Sequence, residues 1–140
     1  MSDIRGLFNV IREAPPDDGM RLLFRCPGCK AVHGPSVGTG PGPRWTWNGS
    51  FDKPTFGPSL LVRWRMFSAE AQAETAAFKM QHGRLPTDQE VVPRWEEKVC
   101  HSFIGCNGAQ PGQIIFLGDC THALAGQVVD IPPFSWDGDE

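Results

Sequence analysis

The sequence predicts an α+β fold rich in strands: a small antiparallel sheet with a zinc knuckle and a helical insertion. Three observations lead to this prediction. The 140 residues include 16 glycines and 13 prolines, which separate short runs of β-forming residues. Two cysteines stand close together in Cys26-Pro27-Gly28-Cys29, a spacing typical of zinc knuckles. Residues 68–82 are rich in Ala, Glu and Gln, a composition that favours a helix.

Length and charge narrow the class of protein. At 140 residues and 40% hydrophobic content, we expect one zinc-stabilised domain over residues 1–140. No run of residues has the composition of a secretion signal or a membrane span, so we expect a cytoplasmic protein that does not enter a membrane. A net charge of −3 argues against non-specific nucleic-acid binding, which requires a surplus of Lys and Arg.

The N-terminal half is predicted to form strands joined by turns. Residues 20–25 form a strand that leads into the cysteine pair, and residues 34–43 form a loop of Gly and Pro. Residues 44–47 alternate and end at Asn48-Gly49, a strong hairpin signal. Residues 54–59 form a rigid turn, and the alternation in residues 59–66 predicts a half-buried antiparallel strand.

Residues 67–98 are predicted to be a helical insertion. Ser68 suits the N-cap of a helix, and Gly83 suits its end. Thr87 and Glu90 have capping-box spacing, which predicts a second helical segment that Pro93 interrupts. After the insertion, residues 99–104 and 113–117 are predicted to pair as a hairpin, with a last strand at residues 127–131.

The cysteine pair is the strongest indication of a metal site. Pro27 fixes φ after the first thiol, and Gly28 can adopt positive φ, so the chain can turn around one ion. A redox dithiol is disfavoured because residues 30–43 cannot form a helix, and a disulfide would close a very small ring. The five cysteines, an odd number, fit metal binding better than a disulfide framework.

A structural zinc needs four ligands. Besides Cys26 and Cys29, we expect Cys100 as the third ligand, and His122 as the fourth, with His101 as the alternative. Adjacent side chains of a regular strand point to opposite faces, so Cys100 and His101 should not both reach one ion.

A second group of residues suggests catalysis. Asp119 beside His122, with His33 and His101 from neighbouring strands, would suit hydrolytic or metal-assisted chemistry. The candidate catalytic residues are therefore His33, His101 and Asp119. The simpler interpretation of Asp119 is a cap on the turn after it. The sequence contains neither a nucleophile elbow nor a His-Glu-x-x-His motif.

Several of these motifs together resemble a family of small uncharacterised proteins of phages and prophages. The resemblance lies in the cysteine knuckle, Trp45 to Gly49, Pro54 to Ser59, Cys100 to Phe103, and Asp119 to Gly126. It implies a zinc-bound β-fold and a phage or prophage setting, hence the cytoplasm of a bacterial host. Some members carry the label ammonia monooxygenase, which would require a membrane span and a copper-type histidine set that this sequence lacks.

Three functions are compatible with these observations. The first is a non-catalytic zinc-binding accessory module that binds a host or phage macromolecule. The second is a small hydrolase that depends on zinc or on His and Asp. The third is single-strand nucleic-acid binding through Trp45 and Trp47, although such aromatic residues more often form the core of a small β-domain.

Overall fold

The computed structural model describes residues 3–135. Among these residues it contains eleven β-strands and one α-helix, which confirms the predicted strand-rich α+β class. The elements are β1 (Ile4–Arg5), β2 (Phe8–Arg12), β3 (Met20–Cys26), β4 (Ala31–His33), β5 (Ser36–Val37), β6 (Thr46–Trp47), β7 (Phe56–Gly57), β8 (Leu60–Phe67), α1 (Ala69–His82), β9 (Trp95–Ile104), β10 (Gln113–Phe116) and β11 (Val128–Asp130).

The first sheet is formed by the N-terminal strands. Its order is β1-β2-β3-β4, with β5 also paired to β3, and every pair is antiparallel. Phe8 and Phe24 are fully buried on this sheet, and their rings meet edge to face at 6.4 Å. Each such buried ring stabilises the fold by about 1.5–3 kcal/mol.

The second sheet has the order β11-β10-β9-β8. The predicted hairpin between β9 and β10 forms. Its strands are antiparallel, with Ile114 opposite Ile104. Both isoleucines are fully buried. Because side chains alternate along a strand, the strand residues next to Ile104 and Ile114 point to the opposite face of the sheet.

A short ladder joins β6 and β7, with Trp47 opposite Phe56. Asn48 and Gly49 do not form a two-residue hairpin turn as predicted, because residues 48–55 all lie in the connection. The Asn48 side chain instead caps this loop: its Oδ1 accepts from the Ser50 N–H, and its Nδ2 donates to the Lys53 carbonyl.

The chain divides into two compact units, Met1–Val62 with Cys100–Glu140, and Arg63–Val99. The second unit holds helix α1, whose N-cap Ser68 accepts from the Ala71 N–H at 3.1 Å. The helix ends at Gly83, which has φ 72°. No helix in the described residues is long and apolar enough to cross a membrane. The organisation of residues 1–140 as one domain with an insertion at about 67–98 stays a prediction.

The prediction of a second helical segment at Thr87 is wrong. Both hydrogen bonds of the capping box form: Thr87 N–H donates to Glu90 Oε1 at 2.9 Å, and Glu90 N–H donates to Thr87 Oγ1 at 3.3 Å. They close an isolated turn, because Pro93 comes directly after it and residues 95–97 belong to strand β9.

Candidate functional site

Three side chains form a hydrogen-bonded series. His101 Nε2 lies 3.0 Å from Ser59 Oγ, and His101 Nδ1 lies 3.1 Å from Asp119 Oδ2. An ionised carboxylate can only accept, so Nδ1 carries the proton that it donates to Asp119. In the neutral ring Nε2 then keeps its lone pair and can accept from the Ser59 hydroxyl, which is the tautomer a general base needs.

Two neighbouring strands and a turn bring these three residues together. Ser59 stands directly before β8, and His101 lies in the adjacent strand β9. Asp119 lies after the end of β10 in a turn closed by a hydrogen bond from Cys120 N–H to the Leu117 carbonyl. The His101 side chain is 24% exposed and that of Asp119 is 52% exposed, so solvent and a substrate can reach the group.

The backbone on both sides of the series is held in place. Trp45 Nε1 donates to the Ser59 carbonyl at 3.2 Å. The Cys120 thiol lies 3.2 Å from both the His101 amide nitrogen and the His101 carbonyl oxygen, and it accepts from the former and donates to the latter. Such fixed geometry is what nucleophile activation requires.

A cluster of thiols and imidazole lies in the same unit. Ligand atoms of Cys26, Cys29, His33 and Cys100 are all within 4.8 Å of one another. Cys26 Sγ and Cys100 Sγ are 3.9 Å apart, which is too long for a disulfide. A tetrahedron of Zn–S bonds of about 2.3 Å has edges of about 3.8 Å, so this spacing fits a metal ion.

The knuckle forms at the end of β3. The Lys30 N–H donates to the Cys26 carbonyl at 2.8 Å, and Lys30 takes the positive φ of 55° that the sequence suggested for Gly28. Glycine is needed at 28 for a different reason. A Cβ there would lie 2.4 Å from His122 Nε2, so the imidazole packs directly on the knuckle backbone.

The three thiols have pKa values that shift in opposite directions, because they hydrogen-bond to one another. Hydrogen bonds from Cys100 and Cys29 hold the pKa of Cys26 far below its usual range. The Cys100 pKa is raised well above its usual range because its thiol donates to Cys26 and Cys29 and is buried. A bond with Cys100 lowers the Cys29 pKa, yet bonding to Cys26 and burial outweigh it and raise the pKa to about 12. A cation would allow all three to ionise.

His122 lies in a second group, with Cys100 and Cys120. Its Nδ1 accepts from the Leu124 N–H at 3.2 Å, and its ring meets Phe116 edge to face at 4.4 Å. Since Nδ1 is an acceptor, the proton of the neutral ring is on Nε2, which is buried without a hydrogen-bond partner among the described residues. The ring lies close enough to the thiols of Cys100 and Cys120 for this group to hold a metal ion, and the role of His122 as the fourth ligand stays a prediction.

Apart from His122, the predicted site residues thus separate into two sets. Cys26, Cys29 and Cys100 come together as predicted metal ligands, and His33, predicted as catalytic, joins them. His101 and Asp119 come together with each other and with a residue that the sequence did not single out. Ser59 was assigned to a rigid turn, and its flanking residues carry no nucleophile-elbow pattern.

A serine, an imidazole and a carboxylate in this order have the geometry of the catalytic triad of serine hydrolases. The chain belongs to the BubE family, the bacterial ubiquitination-like system serine proteases, whose family model matches residues 8–111. The matched residues include Ser59 and His101. No curated protein and no solved structure matches the chain.

This family corrects the leading functional hypothesis. The prediction of a non-catalytic binding module is wrong, because the family consists of proteases. The hydrolase alternative fits better. The family is also a component of a bacterial ubiquitination-like system, so the match gives no support to the phage or prophage setting that the resemblance implied.

Proposed function

We propose that this protein is a serine protease in which Ser59 is the nucleophile, His101 the general base and Asp119 the residue that orients it. One observation carries the proposal: the two nitrogens of His101 lie 3.0 Å from Ser59 Oγ and 3.1 Å from Asp119 Oδ2. Both distances are within hydrogen-bonding range, so the proton path from serine to imidazole exists before any substrate binds.

The reaction uses these contacts in sequence. Ser59 Oγ attacks the substrate carbonyl carbon while its proton moves to His101 Nε2. The Asp119 carboxylate stabilises the imidazolium that results. His101 then gives the proton to the leaving group, and an acyl ester on Ser59 remains. Water, activated by the same nitrogen, hydrolyses that ester and restores the serine hydroxyl.

The family description suggests the substrate. Members belong to a bacterial ubiquitination-like system, in which a ubiquitin-like protein is attached to other molecules through a carbonyl group. We therefore assign to this protein the cleavage of an acyl bond made by a ubiquitin-like protein, in a precursor or in a conjugate. A ubiquitin-like protein is thus the macromolecular partner of the proposal.

We further propose that the thiol cluster holds zinc in a structural role, through Cys26, Cys29, His33 and Cys100. Soft thiolates with one imidazole favour zinc among common divalent ions. Four protein ligands would fill its tetrahedral coordination sphere and leave no position for a substrate, so the ion would supply stability and not chemistry. Reduced thiols of this kind also suit a cytoplasmic location.

Ester hydrolysis tests the nucleophile without knowledge of the natural substrate. With 4-methylumbelliferyl acetate, we expect a rapid release of about one fluorophore per chain, followed by slow turnover as the acyl ester hydrolyses. Ser59→Ala should abolish the rapid phase, whereas Ser36→Ala, a serine at the edge of the first sheet, should retain it. Equal rapid phases in the wild type and Ser59→Ala would contradict the proposal, because they would place the reactive group elsewhere.

A further inference from the structure

A cleft of about 140 Å³ lies at the start of β8. Its lining includes Leu60, Leu61 and Val62, which come directly after Ser59, and a second group formed by His33, Gly34, Pro35 and Trp45. The indole of Trp45 links the two, since its Nε1 donates to the Ser59 carbonyl. A cavity of about 150 Å³ accepts a benzene-sized group, so this cleft can hold one apolar side chain.

The cleft also runs along a strand edge. Among residues 3–135, β8 is the last strand of its sheet, and residues 60–62 at its start line the cleft. The edge of such a strand presents N–H and C=O groups that can pair with an extended peptide. Three residues of strand span about 10 Å, which matches the few peptide residues next to a bond cleaved by Ser59.

One charged side chain gives the cleft a chemical preference. Arg21 lies in its wall, where its Nε donates to the Gly34 carbonyl at 3.1 Å. Gly34 leaves the space for this packing, because a Cβ there would lie 2.8 Å from Arg21 Nε. Lysine, aspartate and glutamate are absent from the lining among the described residues, so a guanidinium held against the wall favours a carboxylate in the bound peptide.

From these observations we propose that the cleft between residues 60–62 and Arg21 is the specificity site of the protease. It binds the substrate segment beside the scissile bond as an extended strand, places one apolar side chain against Trp45 and pairs an acidic side chain with Arg21. This inference rests on the proposed function, since the cleft matters for specificity only if Ser59 is the nucleophile.

A library of internally quenched peptides with randomised sequences tests the site on the whole, metal-loaded chain. We expect the wild type to cleave peptides with Glu or Asp within three residues of the cut bond about five-fold faster, in kcat/KM, than the matching Lys peptides. Arg21→Glu should reverse that preference, and Arg21→Gln should remove it. Arg12→Glu, a charge reversal in β2 away from the cleft lining, should leave it unchanged. Leu61→Trp should fill the cleft and slow cleavage of all the peptides.

Labelling by an alkyl fluorophosphonate, which needs no peptide contacts, separates the two proposals. If Ser59 is labelled in every variant but Arg21→Glu leaves the preference unchanged, the specificity site is refuted and the nucleophile stands. The specificity site is also refuted if Ser59 of the wild type can be labelled but the unlabelled wild type cleaves no peptide of the library. The cleft is then not a site for extended peptides. If Ser59 of the wild type is not labelled, the proposed function fails and the specificity site fails with it.

Discussion

Cys100 and His101 are adjacent in β9, yet their side chains belong to different centres. Cys100 Sγ lies 3.9 Å from Cys26 Sγ in the thiol cluster, and His101 Nε2 lies 3.0 Å from Ser59 Oγ. The alternation of a β-strand produces this division. It also links the imidazole of His101 to the thiol cluster through a single peptide bond, so the two centres share strand β9.

Metal removal should therefore abolish both fold and activity. We expect about one zinc per chain by elemental analysis, and a strong chelator should unfold the protein, because structural zinc supplies folding free energy of about 10–16 kcal/mol in small domains. Cys26→Ala should lose the metal in the same way. Cys106→Ala is the matched control, since Cys106 lies outside both groups that could hold a metal ion. A chelated protein with unchanged circular dichroism and ester hydrolysis would contradict the structural role.

Asp119→Asn should lower kcat by roughly 10⁴-fold without loss of fold. The new amide can donate to Nδ1 of His101, which favours the tautomer with the proton on Nε2. That nitrogen can then no longer accept from Ser59. Asp130→Asn, in β11, serves as the control for loss of one negative charge. If both variants retained wild-type kcat for ester hydrolysis, Asp119 would be no more than a cap on its turn.

Gly28→Ala should destabilise the protein by about 1–3 kcal/mol, the usual effect of overpacking. The added methyl group would lie 2.3 Å from His122 Cε1, so the imidazole or the knuckle must move. Gly118→Ala provides the comparison, because a Cβ at 118 meets nothing within 4 Å. Urea denaturation of the two variants measures the difference. Equal midpoints would show that His122 does not pack on the knuckle.

The Arg84–Glu90 pair predicts a pH effect in the second unit. Two hydrogen bonds lower the Glu90 pKa from 4.5 to about 2. The larger effect comes from the Arg84 guanidinium and the smaller one from the Thr87 N–H. Because the folded-state pKa is the lower one, the contribution of Glu90 to stability is complete above about pH 4.5 and is lost as the pH falls through 2. An NMR titration of the Glu90 carboxyl carbon measures its midpoint. Arg84→Gln should raise that midpoint, and an unchanged value would refute the pairing.

The sequence predicted the parts of this protein that depend on local pattern. Alternation located most of the long strands, and Ser68 and Gly83 bounded the helix. The Cys26–Cys29 spacing identified the knuckle. At Thr87 the local pattern formed its hydrogen bonds but not a helix, since Pro93 and strand β9 leave no room for a further helical turn.

The features that the sequence could not predict depend on contacts between distant residues. Ser59 and His101 are 42 residues apart, and a serine after a proline carries no mark of reactivity until an imidazole faces it. His33 stands with the thiols because it pairs opposite Phe24 in the first sheet, close to the end of β3. His122 packs on the knuckle backbone from the other half of the chain and forms a second group with Cys100 and Cys120. No spacing rule distinguishes these two histidines.

The reactivity of Ser59 is the central claim, and intact-mass spectrometry after treatment with an alkyl fluorophosphonate tests it most directly. We predict one adduct per metal-loaded chain, mapped to Ser59 by peptide sequencing, and no adduct in Ser59→Ala or after denaturation. A wild-type protein without an adduct, or with an adduct on any other residue, would contradict the claim.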